Sequence, residues 1–380
     1  MHVGAGIIFQ NPLNERADVD VYSGELALAD LVEPLGVDSI WGVEHHFTDY
    51  TLCPDVLQIL TYMAGRTRTI RLGSMVVVLP WHDPIRVAEQ VSVLDHVSGG
   101  RLIFGIGRGL GRVEFEGFRV DMNESRGRFV EYAQMMLKGL EEGYCEYDGK
   151  FLRPPRRDIR PFPFKTFRGR TYAAAVSAES SRIMAELGLG ILISPQKAWQ
   201  SVAEELREYR AVYRQVNGSE PPPPIATAWT FYDEDEGRAR EMAERYIVGY
   251  FQTAQRHYEL ASDHFAKLKG YEYYGKTAPR AQEAGAQSGD EFFLNLQVWG
   301  TPEQCYRRIM EIRERSEGRA QHSRPLRLSR SPGGVPSGSR AITIVGKSDR
   351  RPATGARQRH RGICGGSASS GSDAARGHLS

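Results

Sequence analysis

The sequence predicts an α/β fold of parallel strands joined by helices, and three observations carry that prediction. Short β-branched runs alternate with longer amphipathic stretches, and seven such runs recur before residue 232. Asp83-Pro84 supplies a helix cap with proline at the first helical position, and Gly99-Gly100 supplies the stop of the same helix. The 380 residues are 41% hydrophobic and 10% aromatic, enough to bury a sizeable core.

In chain order, the expected strands are 3–9, 39–43, 71–78, 102–106, 171–175, 190–193 and 225–231, each a β-branched or apolar run bounded by turn formers. The expected helices are 23–35, 55–66, 84–97, 125–142, 180–186 and 198–216, followed by a late pair at 235–251 and 302–315, each with apolar residues at helical spacing. Three stretches interrupt the rhythm. Residues 153–170, with Pro154-Pro155 and Pro161-Phe162-Pro163, form a long excursion, and the prolines at 221–224 form a stiff linker. Residues 276–290 are small and polar, as expected of a lid over a site.

Four cysteines, Cys53, Cys145, Cys305 and Cys364, lack the short spacings of a zinc site and are too few to staple the chain, so a reducing cytoplasm fits them. No basic region precedes the first apolar residues, and no apolar run reaches the roughly 18 residues that spanning a bilayer requires, so neither export nor a membrane partner is expected. The formal net charge of +2 conceals a split: residues 319–380 carry 12 of the 49 Lys+Arg and 2 of the 47 Asp+Glu, a net +10, which leaves −8 on residues 1–318. An acidic body argues against nucleic acid as a partner. The tail lacks Phe, Trp, Tyr and Glu and is rich in Gly, Ser and Arg. It is read as disordered or as the product of a shifted reading frame, because it has little apolar surface to offset the ordering of its backbone.

Ser39 to Phe47 places His45 and His46 at the carboxyl end of a strand, where barrel enzymes assemble their chemistry. Successive side chains of an extended segment point to opposite sides, so the two imidazoles are not expected in one pocket. No metal is expected, since neither has an evident third ligand; a histidine hydrogen-bonded within its loop is the competing reading. The glycines of 102–111 do not mark a dinucleotide site, because they follow three strands and continue into Arg112, Glu114 and Glu116 rather than into an apolar helix. They suit a strand end where backbone approaches a ligand and Arg108 offers a fork-shaped cation to a phosphate, against the alternative of a solvated loop arginine. Ala178 to Ser181 opens a helix, either as a phosphate-receiving turn or as a plain serine cap. The aromatic clusters at 246–251 and 271–274 suit packing and lid anchoring.

Six collinear stretches, WGVEHHFTD (41–49), GSMVVVLPWHDP (73–84), SGGRLIFGIGRGL (98–110), DMNESR (121–126), AESS (178–181) and GTPEQC (300–305), resemble the bacterial luciferase-like flavin-dependent monooxygenase family, over a likeness that runs from Met1 to about Arg315. The resemblance implies a (β/α)8 TIM-type barrel with insertions over residues 1–318. It implies reduced FMN at the carboxyl ends of the strands, O2 adding at the flavin C4a to give a C4a-peroxyflavin, and a small organic substrate such as an aldehyde or other carbonyl compound. A separate flavin reductase and a homodimer or heterodimer are implied as partners. Residue by residue, it implies His45 as the catalytic imidazole beside the flavin, Arg108 and Arg126 near the FMN phosphate, and Glu179 with Ser180 as the turn completing that site. Met75-Val76 falls at a non-prolyl cis peptide against the flavin ring, and residues 276–290 match the lid.

Three departures accompany the likeness. Gly107 stands where luciferase has a reactive cysteine, and Ser194-Pro195 where it has a tryptophan, so the substrate side differs and light emission is not implied. After residue 318 the expected eighth strand and closing helix give way to the Arg/Gly/Ser-rich tail, which leaves barrel closure open. Two rival functions remain: a deazaflavin-dependent dehydrogenase of the same superfamily, and a non-catalytic flavin-binding relative. The EHHF and DMNESR stretches favour the monooxygenase.

Overall fold

The computed structural model describes residues 1–276, 286–317 and 340–345. Its first half runs β1 (His2–Ile7), α1 (Asp18–Asp30), β2 (Ser39–Gly42), α2 (Val56–Arg66), β3 (Arg71–Ser74), β4 (Val77–Val78), α3 (Pro84–Val97), β5 (Leu102–Gly107), α4 (Arg112–Phe118) and α5 (Ser125–Glu142). There follow β6 (Tyr144–Cys145), β7 (Arg157–Asp158), β8 (Thr171–Ala174), α6 (Ala178–Glu186), β9 (Gly190–Ile193), α7 (Trp199–Asn217) and β10 (Ile225–Tyr232). The late elements are α8 (Glu236–Ala243), α9 (Gly249–Tyr258), α10 (Ala286–Leu296), β11 (Val298–Gly300), α11 (Pro302–Glu317) and β12 (Arg340–Val345).

Parallel pairings link β1 to β2, β2 to β3, β3 to β5, β5 to β8, β8 to β9 and β9 to β10. β12 then pairs antiparallel with both β10 and β1, with Ala228 opposite Ile342 on one side and Ala5 opposite Ile342 on the other, so the pairings return to the first strand. All seven expected strands form, with one division: residues 71–78 split into β3 and β4 around Met75–Val76, whose peptide is cis. The excursion after α5 carries a small hairpin, β6 against β7, that the sequence did not reveal. The tail was expected to be disordered or frame-shifted, with the run 341–345 pairing weakly at most and barrel closure left open. Residues 340–345 form that pairing, the β-branched run RAITIV meeting two strand edges; residues 318–339 and 346–380 lie outside the described residues. Most of the expected lid, residues 277–285, lies outside them too, while 286–290 begin α10.

Strand alternation sorts the core into two layers. Trp41, Ile103, Tyr172, Leu192 and Ile225 cluster inside the barrel. Ile40, Leu72, Phe104, Ala173 and Ile191, their neighbours along the strands, pack outward with Leu60, Met63, Val91, Leu94 and Met136 of the helices. Burying each large apolar side chain contributes about 1.5–3 kcal/mol. α3 begins as expected, with Asp83 accepting from the N–H groups of Ile85 and Arg86. Its end is tied to the start of β8 by the buried Asp95, which takes both nitrogens of Arg170 at 2.6 and 2.7 Å. This tie fixes the register at the amino ends of the strands, opposite the carboxyl ends where the candidate site lies.

Candidate active site

His45 leaves the end of β2 beside two elements distant in sequence. Its Nδ1 lies 3.0 Å from Glu114 Oε1 of α4, and its Nε2 lies 3.1 Å from the hydroxyl of Tyr258 at the end of α9. An ionised carboxylate only accepts, so Nδ1 carries the proton and Nε2 accepts from Tyr258. Glu114 is fully buried and also accepts from the backbone N–H of His46 at 2.9 Å. Its second oxygen faces Nε2 of buried His257 at 3.4 Å, and His257 Nδ1 is 2.8 Å from Thr48 Oγ1. Burial alone would raise the Glu114 carboxyl, yet the His257 and His45 imidazoles beside it hold it at about 2. Burial lowers the pKa of the His45 imidazole, which the Glu114 partnership only partly offsets. Tyr50 closes this region, stacked on His257 at 4.7 Å between ring centroids and 2.7 Å from Tyr250 through the two hydroxyls.

His46 faces elsewhere, as the alternation expects. Its Nε2 lies 3.2 Å from Glu44 Oε1, which also takes His82 Nε2 at 2.6 Å, while Glu44 Oε2 accepts from the Val78 N–H at 3.1 Å. Glu44 thereby fastens the β2 loop to the segment after β4. Burial works to raise its carboxyl, but the two histidines prevail and lower it.

The arginines gather at a second point. Arg108, just past β5, donates from Nη1 to the carbonyl of Gly270 at 2.5 Å and lies 3.8 Å from the centroid of the Tyr271 ring. Arg126, in the first turn of α5, donates from Nη2 to the same carbonyl at 2.8 Å and pairs through Nη1 with Glu179 at 2.7 Å. Arg126 Nε is buried without a hydrogen-bond partner among the described residues. Gly270 adopts φ +84, and a Cβ there would come within 2.8 Å of Arg108 Nη1, so only glycine lets the backbone sit this close to the two cations. Ser180 donates its backbone N–H to Ser177 Oγ at 3.2 Å, and the two hydroxyls lie 3.0 Å apart. Ser177, not Ser180, is the cap of α6.

Met75 and Val76 pack against the interior cluster around Trp41, and a Cβ at Gly107 would lie 2.3 Å from Val76 Cγ2. The space a side chain at 107 would need is therefore filled by Val76.

The structure thus joins Arg108, Arg126 and Glu179 at one point, sets Ser180 in the first turn of α6, and surrounds His45 with partners that the sequence did not single out. Glu114 was read only as a polar residue that breaks a dinucleotide pattern; it belongs to a short helix whose Glu114 and Phe115 are buried. His257 offered no motif, and Thr48, though inside the stretch 41–49, was given no role. Polar ring and carboxylate atoms of His45, Glu114 and His257 all lie within 4.8 Å of one another, Glu114 coming from α4 and His257 from α9. Among the described residues, no helix is long and apolar enough to cross a membrane.

Comparison with known proteins gives a consistent set of likenesses. The profile of the luciferase-like monooxygenases matches residues 1–317. The alkanal monooxygenase alpha chain of Photorhabdus luminescens is 27% identical over 274 residues, 70% of this chain and 73% of that protein. Monooxygenase RslO1 from Streptomyces bottropensis superimposes with a TM-score of 0.68 at 23% identity, covering 83% of this chain and 89% of the other. The oxygenating constituent of 3,6-diketocamphane monooxygenase from Pseudomonas putida, solved with FMN, gives 0.63 at 17% identity over 84% and 90% of the two chains. The coenzyme F420 dependent tetrahydromethanopterin reductase from Methanopyrus kandleri gives 0.55 at 18% identity over 83% and 91%. At these identities the solved structures establish a common fold.

Proposed function

This chain belongs to the luciferase-like monooxygenase family, and from that premise we propose that it uses reduced FMN and O2 to oxidise a small organic substrate of the aldehyde or carbonyl class. The observation that carries the cofactor assignment is the pairing of Arg108 and Arg126 on a single neutral carbonyl. Two permanent cations sharing one carbonyl, with a buried N–H of Arg126 left over, form a donor set in excess of its acceptor. A phosphate monoester, with three oxygens and about two negative charges, matches both guanidinium forks. The start of α6 adds backbone N–H groups beside Ser180, and Glu179 fixes the angle of Arg126.

Bound there, reduced FMN supplies the electrons with which O2 is activated. The chain's residues do the rest. Met75 and Val76 form an apolar wall over the barrel interior. Tyr50, backed by Tyr250, and Tyr258 crowd His45 and limit water around it. Glu114 fixes the His45 tautomer, so that a neutral imidazole takes a proton at Nε2 and returns it through the Tyr258 hydroxyl. In this reading a separate reductase delivers the flavin and the chain works as a homodimer or heterodimer. A deazaflavin-dependent dehydrogenase is the second reading, favoured by the fold shared with the coenzyme F420 dependent reductase.

Anaerobic titration calorimetry separates the two. Reduced FMN should bind the wild type, and Arg108→Ala should weaken it by about 1.5–3 kcal/mol, the usual worth of a hydrogen bond to a charged group. Unchanged affinity in the variant removes Arg108 from the site, and binding of the deazaflavin in preference to FMN overturns the cofactor assignment.

A further inference from the structure

We propose that His45, Glu114 and His257 form a binding site for one divalent transition-metal ion of the zinc class. Their ligand atoms lie within 4.8 Å of one another, the one such cluster among the described residues. They come from the loop after β2, from α4 and from α9, so the fold and not a local motif assembles them. Two imidazoles and one carboxylate suit a borderline divalent ion with a fourth position open to water, and do not suit calcium or magnesium, which take oxygen ligands.

Two of the three separations are of coordination-sphere size, each to a different oxygen of Glu114, and all three ligand atoms lie within 4.8 Å of one another. His45 Nδ1 and Glu114 Oε1 are 3.0 Å apart, and His257 Nε2 and Glu114 Oε2 are 3.4 Å apart. Ligands about 2.0–2.1 Å from a tetrahedral ion lie roughly 3.3 Å from one another. Glu114 is fully buried, and its ion-pair partners are both histidines, with no lysine or arginine among them. Glu114 Oε2 and His257 Nε2, facing each other, make no hydrogen bond among the described residues.

The outer contacts are those of a metal site. His257 Nδ1 is held by Thr48 Oγ1 at 2.8 Å, which leaves Nε2 for an ion. His45 Nε2 is held by Tyr258 at 3.1 Å, which leaves Nδ1. Glu114 is oriented by the His46 N–H. An ion would take the lone pair of His45 Nδ1 and move the ring proton to Nε2, which then donates to Tyr258 instead of accepting. Metal uptake and proton acceptance at Nε2 are therefore alternative states of one imidazole.

The test needs no flavin, so it stands or falls apart from the monooxygenase reading. The full chain, stripped with a chelator, is titrated with Zn2+ against a chromophoric competitor and with Co2+ by visible absorbance. The wild type should take up one more tight equivalent than Glu114→Gln and show Co2+ ligand-field bands that the variant lacks. Thr48→Val, outside the ligand set, should weaken the site by about 10- to 100-fold. Circular dichroism of the metal-free proteins checks folding, and if Glu114→Gln does not fold, His257→Gln and Thr48→Val carry the comparison. Equal stoichiometry and affinity in wild type and folded variants, or no uptake by the wild type, overturns the proposal.

Discussion

His45 and His46 are adjacent in the chain yet serve different carboxylates, Glu114 and Glu44. The alternation of an extended segment already separated them in the sequence. Their partners were not legible, because Glu114 is 69 and Tyr258 is 213 residues from His45, and neither belongs to a motif with a fixed spacing. The same holds for the arginines: the fork-shaped donor at 108 could be read as a phosphate ligand, but Gly270 and Tyr271 become visible only when the chain folds back. The pair gives a discriminating prediction. His45→Ala should lower turnover by roughly 10² to 10⁴ while leaving flavin affinity nearly unchanged, as expected for loss of a general acid or base. His46→Ala should instead lower stability, since it opens a gap beside Trp81 and Phe118 and removes a partner of Glu44. Steady-state kinetics and thermal melts on both variants check this, and equal losses of turnover contradict it.

At the scale of elements, β-branched runs were enough to locate seven strands, and the Asp83-Pro84 cap was enough to start α3. The hidden elements include α4, the β6–β7 hairpin, α10 and β11. α4 is short and charged, with Glu114 and Phe115 buried through contacts made elsewhere, so no helical stripe announces it. The hairpin of β6 and β7 has only two residues in each strand. Glu33 shows how loops between elements add stability. Its carboxylate accepts from the N–H groups of Arg68, Thr69 and Ile70, tying the segment after α1 to the approach of β3. Burial opposes ionisation, but these hydrogen bonds prevail and lower the pKa from 4.5 to about 2. A depressed carboxyl pKa adds stability that is fully present above 4.5 and lost as the pH falls through 2. Glu33→Gln should therefore cost about 2 kcal/mol at neutral pH after allowance for solvent screening. The gap between variant and wild type should narrow as the pH falls below 4.5, measured by urea unfolding. A pH-independent difference contradicts the assignment.

For the whole molecule, composition and fold gave conflicting indications about the end of the chain. The absence of aromatic residues and glutamate after residue 318 pointed to a tail that contributes nothing, yet Arg340–Val345 pairs with the edges of both β1 and β10. Composition averages over a segment, whereas strand pairing needs only a short β-branched run beside an open edge. Truncation after Glu317 should lower the melting temperature by several degrees and promote aggregation, because two strands lose their partners. An unchanged melt would mean that the ring is held without β12. The central claim, that the site directs O2 chemistry with reduced FMN, is tested most directly by isotope labelling. The enzyme, reduced FMN and a panel of aliphatic aldehydes and ketones are mixed under ¹⁸O2, and the products are examined by mass spectrometry. The account predicts one labelled oxygen atom in the product, lost in His45→Ala; unlabelled product, or substrate turned over by hydride transfer to a deazaflavin without O2, would contradict it.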